Sequence, residues 1–212
     1  MTHPHTSPAS PVRGFTLIEL AVVMAIAGLM LAAAMPDVSA WLRNTRIRNQ
    51  AEAMQTGLQR ARTEAVRRNT PVTFWLVELN DDSVMDDQCA LSDTGTSWVV
   101  SLDDPSGACG AAASSTSAPR LIAAHSAGDG GGGIAIVATL PDGSTAAQSV
   151  TFDAFGRVGN VASDIQRLDI SYPSGSTAST DRALRVELTP AGQVRMCDPA
   201  VTASDDPRLC AF

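Results

Sequence analysis

The 212-residue chain has no lysine; all 15 of its basic residues are arginine. A phosphate-binding loop built on Gly-Lys-Ser/Thr is thereby excluded, and the glycine-rich stretch Gly128–Gly133 reads as a flexible hairpin connection. Histidine is almost as scarce. Of three, His3 and His5 sit in the polar first 14 residues, leaving His125 beside an apolar strand with no nucleophile motif or metal-ligand spacing around it. No catalytic residue, cofactor or metal site is assigned. Cysteine is limited to Cys89, Cys109, Cys197 and Cys210, without the C-x-x-C spacing or nearby histidines of a zinc site. An even count placed after an apolar run points instead to disulfides and an oxidising compartment. The net charge of −7 argues against bulk nucleic-acid affinity while leaving room for a local arginine cluster.

Charge is also absent from Leu20 to Met35. The 21 residues from Phe15 to Met35 make a helix about 32 Å long, enough for a hydrocarbon core of roughly 30 Å. Glu19 is the exception in this run, and an acid there defaults to a functional reading unless it snorkels to the headgroups. Ala21, Ala25, Gly28 and Ala32 share one helix face, which lets neighbouring helices approach closely in lipid or reflects an alanine-rich span. Residues 1–14 read as a leader, 15–36 as a transmembrane helix, 37–69 as its amphipathic continuation and 70–212 as a β-domain. Arg43, Arg46 and Arg48 follow the span while only Arg13 precedes it. Charge alone would therefore keep the carboxyl-terminal side in the cytoplasm, against the cysteine evidence.

Beyond Pro36, Ile47, Ala51, Met54, Leu58, Ala61 and Ala65 keep 4-3-4-3-4 spacing, an apolar stripe that must pack on something. Asn69-Thr70-Pro71 ends the helix. The period then shifts to two, with strands expected at 72–79, 98–102, 121–124, 134–139, 150–152, 168–172, 183–189 and 194–197. The fold class is α+β, a long amino-terminal helix laid on antiparallel sheet. The acidic loop Asn80–Gln88 lacks the ligand order and glycine of a calcium-binding EF-hand and reads as solvated. The last two strands form a hairpin around Pro190-Ala191-Gly192-Gln193. Of the three possible cysteine pairings the local one, 89–109 with 197–210, is preferred.

Arg13-Gly14-Phe15-Thr16-Leu17-Ile18-Glu19, the uncharged follow-on and Pro36 resemble the type IV prepilin signature. The resemblance implies cleavage by a prepilin peptidase between Gly14 and Phe15 and methylation of the new amino terminus. It also implies that Glu19 pairs with the Phe15 amino group of a neighbouring subunit, and that the globular domain lies in the periplasm of a bacterial inner membrane until filament assembly. Arg62–Thr73, Ser97–Val100, Val150–Asp153 with Gly156-Arg157, and Gly192–Pro199 are similar to the GspH/FimT branch of minor pilins and minor pseudopilins. That branch implies a priming or tip subunit of a type IV pilus, or a minor pseudopilin of type II secretion, whose partners are other pilins through the amino-terminal helix. Some members bind DNA for transformation through Gly-Arg-x-Arg before the last cysteines. Here Gly192 and Arg195 match, but Gln193 replaces the first arginine, leaving Arg195, Arg208, Arg182 and Arg185 as the candidate DNA contacts.

Overall fold

The computed structural model describes residues 15–128, 130, 132–173 and 181–211, the side chains of 33–37 excepted. The leader 1–14, including Gly14, and the Pro36 side chain lie outside the described residues. The chain forms two compact units, Met1–Ser39 and Ala40–Phe212.

Helix α1 runs Leu17–Arg68 and takes part in both. In the first unit every described side chain from Phe15 to Ala32 is exposed. Among the described residues, however, no helix is long and apolar enough to cross a membrane. The stretch with described side chains, Leu17–Ala32, is 16 residues and includes Glu19. The transmembrane helix expected over 15–36 extends past Ala32, the last described side chain of this run.

In the second unit the apolar stripe is wholly buried: Ile47, Ala51, Met54, Leu58, Ala61 and Ala65 are each 0 % exposed. Among the described residues after it there are nine strands, β1 (Val72–Leu79), β2 (Cys89–Leu91), β3 (Ser97–Ser101), β4 (Leu121–His125), β5 (Ala135–Thr139), β6 (Ser149–Phe152), β7 (Arg167–Ser171), β8 (Leu184–Leu188) and β9 (Val194–Cys197). Eight answer to the alternating runs in the sequence. The ninth, β2, is not among the expected strands, because three residues are too short to show a period.

The strands make two antiparallel sheets. One has the order β2-β1-β3-β4, with β6 also on β1; the other runs β5-β7-β8-β9. Strand β1 carries β6 along Val72–Trp75 and β2 along Val77–Leu79, so two short strands share one long edge. The helix stripe joins Val72, Phe74, Leu76, Trp98 and Val100 of the first sheet and Ile136, Leu168, Ile170, Val186 and Leu188 of the second in one core. A smaller cluster, Val77, Leu79, Val99, Leu121 and the bonded Cys89–Cys109 pair, covers the other face of β1 and β3. That bond closes a stretch with little regular structure, and in the chain-entropy picture a loop of this size contributes about 3 kcal/mol.

Two features mark the buried part of the helix, one at its contact with the sheet and one within the helix itself. Gly57 sits where a Cβ would lie 2.7 Å from the rings of both Phe74 and Trp98, so only glycine allows this approach. At the helix end Glu64 accepts from Arg67 at 2.6 Å and from Arg68 at 2.9 Å, with Arg60 at 3.8 Å. The Arg67 hydrogen bond, opposed by desolvation and helped by Arg68, holds the Glu64 carboxyl below the usual carboxylate range.

Two outcomes are expected. Gly57→Leu forces the buried rings aside and costs roughly 1–3 kcal/mol or more, read as a lower denaturation midpoint of the detergent-solubilised chain. For Glu64, a depressed folded-state pKa means stability that is present above its unfolded value and lost as pH falls through the folded one. Glu64→Gln therefore lowers stability at neutral pH and flattens the loss on acidification below the usual carboxylate range, measured by denaturant titration across pH.

Candidate functional site

The hairpin β8–β9 and the segment after it carry the residues singled out near the carboxyl end. The turn closes between Thr189 and Gln193, whose backbone bond is 3.0 Å, with Gly192 N–H donating to the Thr189 carbonyl at 2.8 Å. Gly192 has φ +77°, and a Cβ there would meet the Gly156 carbonyl oxygen at 1.9 Å. Arg62 of α1 donates to that same carbonyl at 2.9 Å. The Gly156 and Gly192 turns are therefore pressed together against the helix, and the motif glycine is there for packing. Gln193, which stands where the resemblance places an arginine, lines a small hollow with Gln59, Arg62 and Thr63.

Across the hairpin Glu187 faces Arg195. The Glu187 carboxylate is 1 % exposed and receives Arg195 through Nε at 3.0 Å and Nη2 at 2.9 Å. The Arg195 Nη2 also donates to the Leu209 carbonyl at 2.8 Å, and the Ala211 amide donates to Glu187 at 2.9 Å. A buried carboxylate is costly unless paired and hydrogen-bonded, and here both conditions are met. With the Cys197–Cys210 bond, this network folds the last residues back over the sheet. Glu187 and the two sulfurs lie within 4.8 Å of one another, but the sulfurs are joined to each other and are not metal ligands in this state.

The four candidate arginines do not form one patch. Arg195 is committed to Glu187 and Leu209. Arg185 pairs with Asp169 at 2.7 Å, beside Arg167 at 2.6 Å from the same carboxylate. Arg182 and Arg208 come together elsewhere, on a groove of about 730 Å³ completed by Trp41, Asn44 and Arg48 of α1, with Leu184 and Met196 as apolar floor. Arg208 is held by Asp206 at 2.7 Å, and that pairing keeps the Asp206 carboxyl below its usual range. Arg182 is anchored through its backbone amide, which donates to Asn44 Oδ1 at 2.8 Å. The helix residues of this groove escaped the sequence reading, although an arginine at 48 and a tryptophan at 41 on one amphipathic helix were the available signal.

The carboxylates of the acidic loop accept hydrogen bonds from the protein itself. Asp81 accepts from Ser83 and Asp86 from the Gln88 amide, which is turn chemistry, while Asp87 accepts from the more distant Gly110 amide.

Two family descriptions match the sequence: type II transport protein GspH over residues 50–192, and the prokaryotic N-terminal methylation motif over residues 10–35. No curated protein sequence matches the chain. Among solved structures, the type IV minor pilin FimU of Pseudomonas aeruginosa is similar in two crystal forms. One shows 15 % identity, 70 % of this chain and 90 % of that one covered, and a TM-score of 0.37. The other shows 16 %, 71 %, 87 % and 0.38.

The Arg195–Glu187 pairing makes a prediction that a surface role for Arg195 does not. Arg195→Ala leaves a buried acid short of its partner and costs about 2–3 kcal/mol, the lower part of the range for such pairs because Arg195 is part-exposed. Adding Glu187→Gln recovers much of that loss. Denaturant unfolding of the two single variants and the double variant measures the coupling.

Proposed function

The chain belongs to the GspH family, and on that premise we propose how this minor pilin or pseudopilin is made and assembled. The observation that carries the reading is the union of an amino-terminal methylation motif over 10–35 with the family domain over 50–192 in one chain. Proteins of this family are structural subunits that assemble with other pilins.

The precursor is held in the inner membrane by the apolar run 15–36, with its β-domain in the periplasm. A prepilin peptidase cuts between Gly14 and Phe15, and the new amino terminus is methylated. Removal from the bilayer into a filament is then a transfer between two apolar surroundings. Lipid tails and neighbouring helices are similar in polarity, so the apolar side chains give little preference for either. Glu19 supplies the preference: the charge created at Phe15 of one subunit is the partner an acid in that position lacks in lipid. The subunit takes a low-copy place near the filament tip, in a type IV pilus or the related filament of type II transport. DNA binding through Arg195 is no part of this proposal, since that guanidinium already serves Glu187 and Leu209.

Glu19→Ala separates insertion from assembly. The variant is expected to fractionate with membranes and to be cut normally, while its amount in sheared filaments drops to background by immunoblot. Incorporation at wild-type stoichiometry would show that Glu19 has no such role. Deleting the gene tells the two machineries apart: loss of surface pili marks the first, retention of secreted proteins in the periplasm the second.

A further inference from the structure

The groove is lined by three arginines and one acid. Trp41, Asn44 and Arg48 on α1 line it together with Arg182 ahead of β8 and Asp198 and Arg208 on the carboxyl-terminal segment. Asp206 occupies Arg208, but among the described residues neither Arg48 nor Arg182 has an ion-pair partner, and Asp198 is the one acid in the lining. In a chain of net charge −7, this is a local excess of positive charge open to an anion.

A second observation says which anion. Trp41 is 65 % exposed, with Val38 and Leu42 also exposed, and it follows Met35 by only six residues. An exposed indole and basic side chains directly after an apolar run are what a membrane–water interface selects: the ring sits at headgroup level and the cations meet anionic lipid. We propose that this groove binds the phosphodiester headgroup of an anionic membrane lipid. The Arg48 and Arg182 guanidiniums donate to the phosphate oxygens, and Trp41 lies in the interface beside them. Arginine suits the task because its fork of N–H donors matches phosphate geometry. The inference rests on the membrane-anchored precursor proposed above. It gives the β-domain a means of resting at the bilayer until assembly draws it away.

The test uses the full chain in zwitterionic detergent, titrated with phosphatidylglycerol or phosphatidylcholine and read by native mass spectrometry. Retention of one phosphatidylglycerol in preference to phosphatidylcholine is expected. Arg48→Ala and Arg182→Ala should each weaken it roughly fivefold, and together about 25-fold. Arg46→Ala, exposed and outside the groove, should change nothing. Equal retention of the two lipids, or retention indifferent to both groove variants, overturns the proposal. So does displacement of the lipid by millimolar inorganic phosphate, which would mark a free-anion site. Tighter binding of a single-stranded oligonucleotide than of phosphatidylglycerol overturns it too. The readout is independent of the anchoring premise. If the chain is washed from cell membranes by alkali while purified protein still retains phosphatidylglycerol, the premise fails and the headgroup site stands.

Discussion

Everything in the folded unit depends on one close approach, that of the α1 stripe to two sheets at once. A helix normally meets one layer. Here half of the six stripe positions are alanine, Ala51, Ala61 and Ala65, and Gly57 lies beside them, so the backbone itself comes near the rings of Phe74 and Trp98. Larger residues at those places would push the sheets apart and leave Ile136, Leu168 and Val186 without a helix to bury them. Small helix residues and large strand residues are thus complementary choices, and interiors packed to crystal density tolerate little departure from either.

That constraint sorts the charges. With the stripe closed to polar groups, the arginines of α1 are forced onto the remaining faces, where they find separate uses. Arg62 reaches the Gly156 carbonyl and so fixes two turns. Arg67 and Arg68 neutralise Glu64, and Arg43 pairs with Asp181. Arg48 is left on the groove. An all-arginine, lysine-free chain suits this arrangement, because most of these guanidiniums hold fixed oxygen acceptors, which a planar donor fork does better than a single ammonium.

Most of the fold was legible in the sequence because the stripe keeps its spacing without a break and most strands alternate cleanly. What was not legible came down to register and to distance along the chain. Strand β2 has three residues and owes its place to the edge of β1 and to the Cys89 bond. The role of Arg195 was missed for a sharper reason. A four-residue turn over Pro190–Gln193 would set Glu187 opposite Met196, whereas closure between Thr189 and Gln193 sets it opposite Arg195. A slip of one residue reverses which face every side chain takes. With the true register, an exposed cation becomes the partner of a buried acid. The groove was hidden differently: Arg48 and Arg182 are far apart in sequence, and no local pattern announces that two such residues will meet.

Between Phe15 and Leu31 eleven large apolar side chains are about half exposed or more. Burying such a side chain is worth about 1.5–3 kcal/mol, so the set as a whole cannot remain in water. In the assembly proposed above it has two surroundings, lipid tails and the helices of other subunits, and apolar contact scarcely distinguishes them. The choice must therefore be made by polar groups, which respond very differently to the two. An acid near the start of the helix gains when a neighbour brings a positive amino terminus. Arginines in a groove gain while a phosphate headgroup is within reach. The first favours the filament and the second the bilayer, and each acts at one end of a surface that is itself indifferent. On this view the apolar run supplies the strength of attachment in either state, and a handful of charges decides which state is occupied.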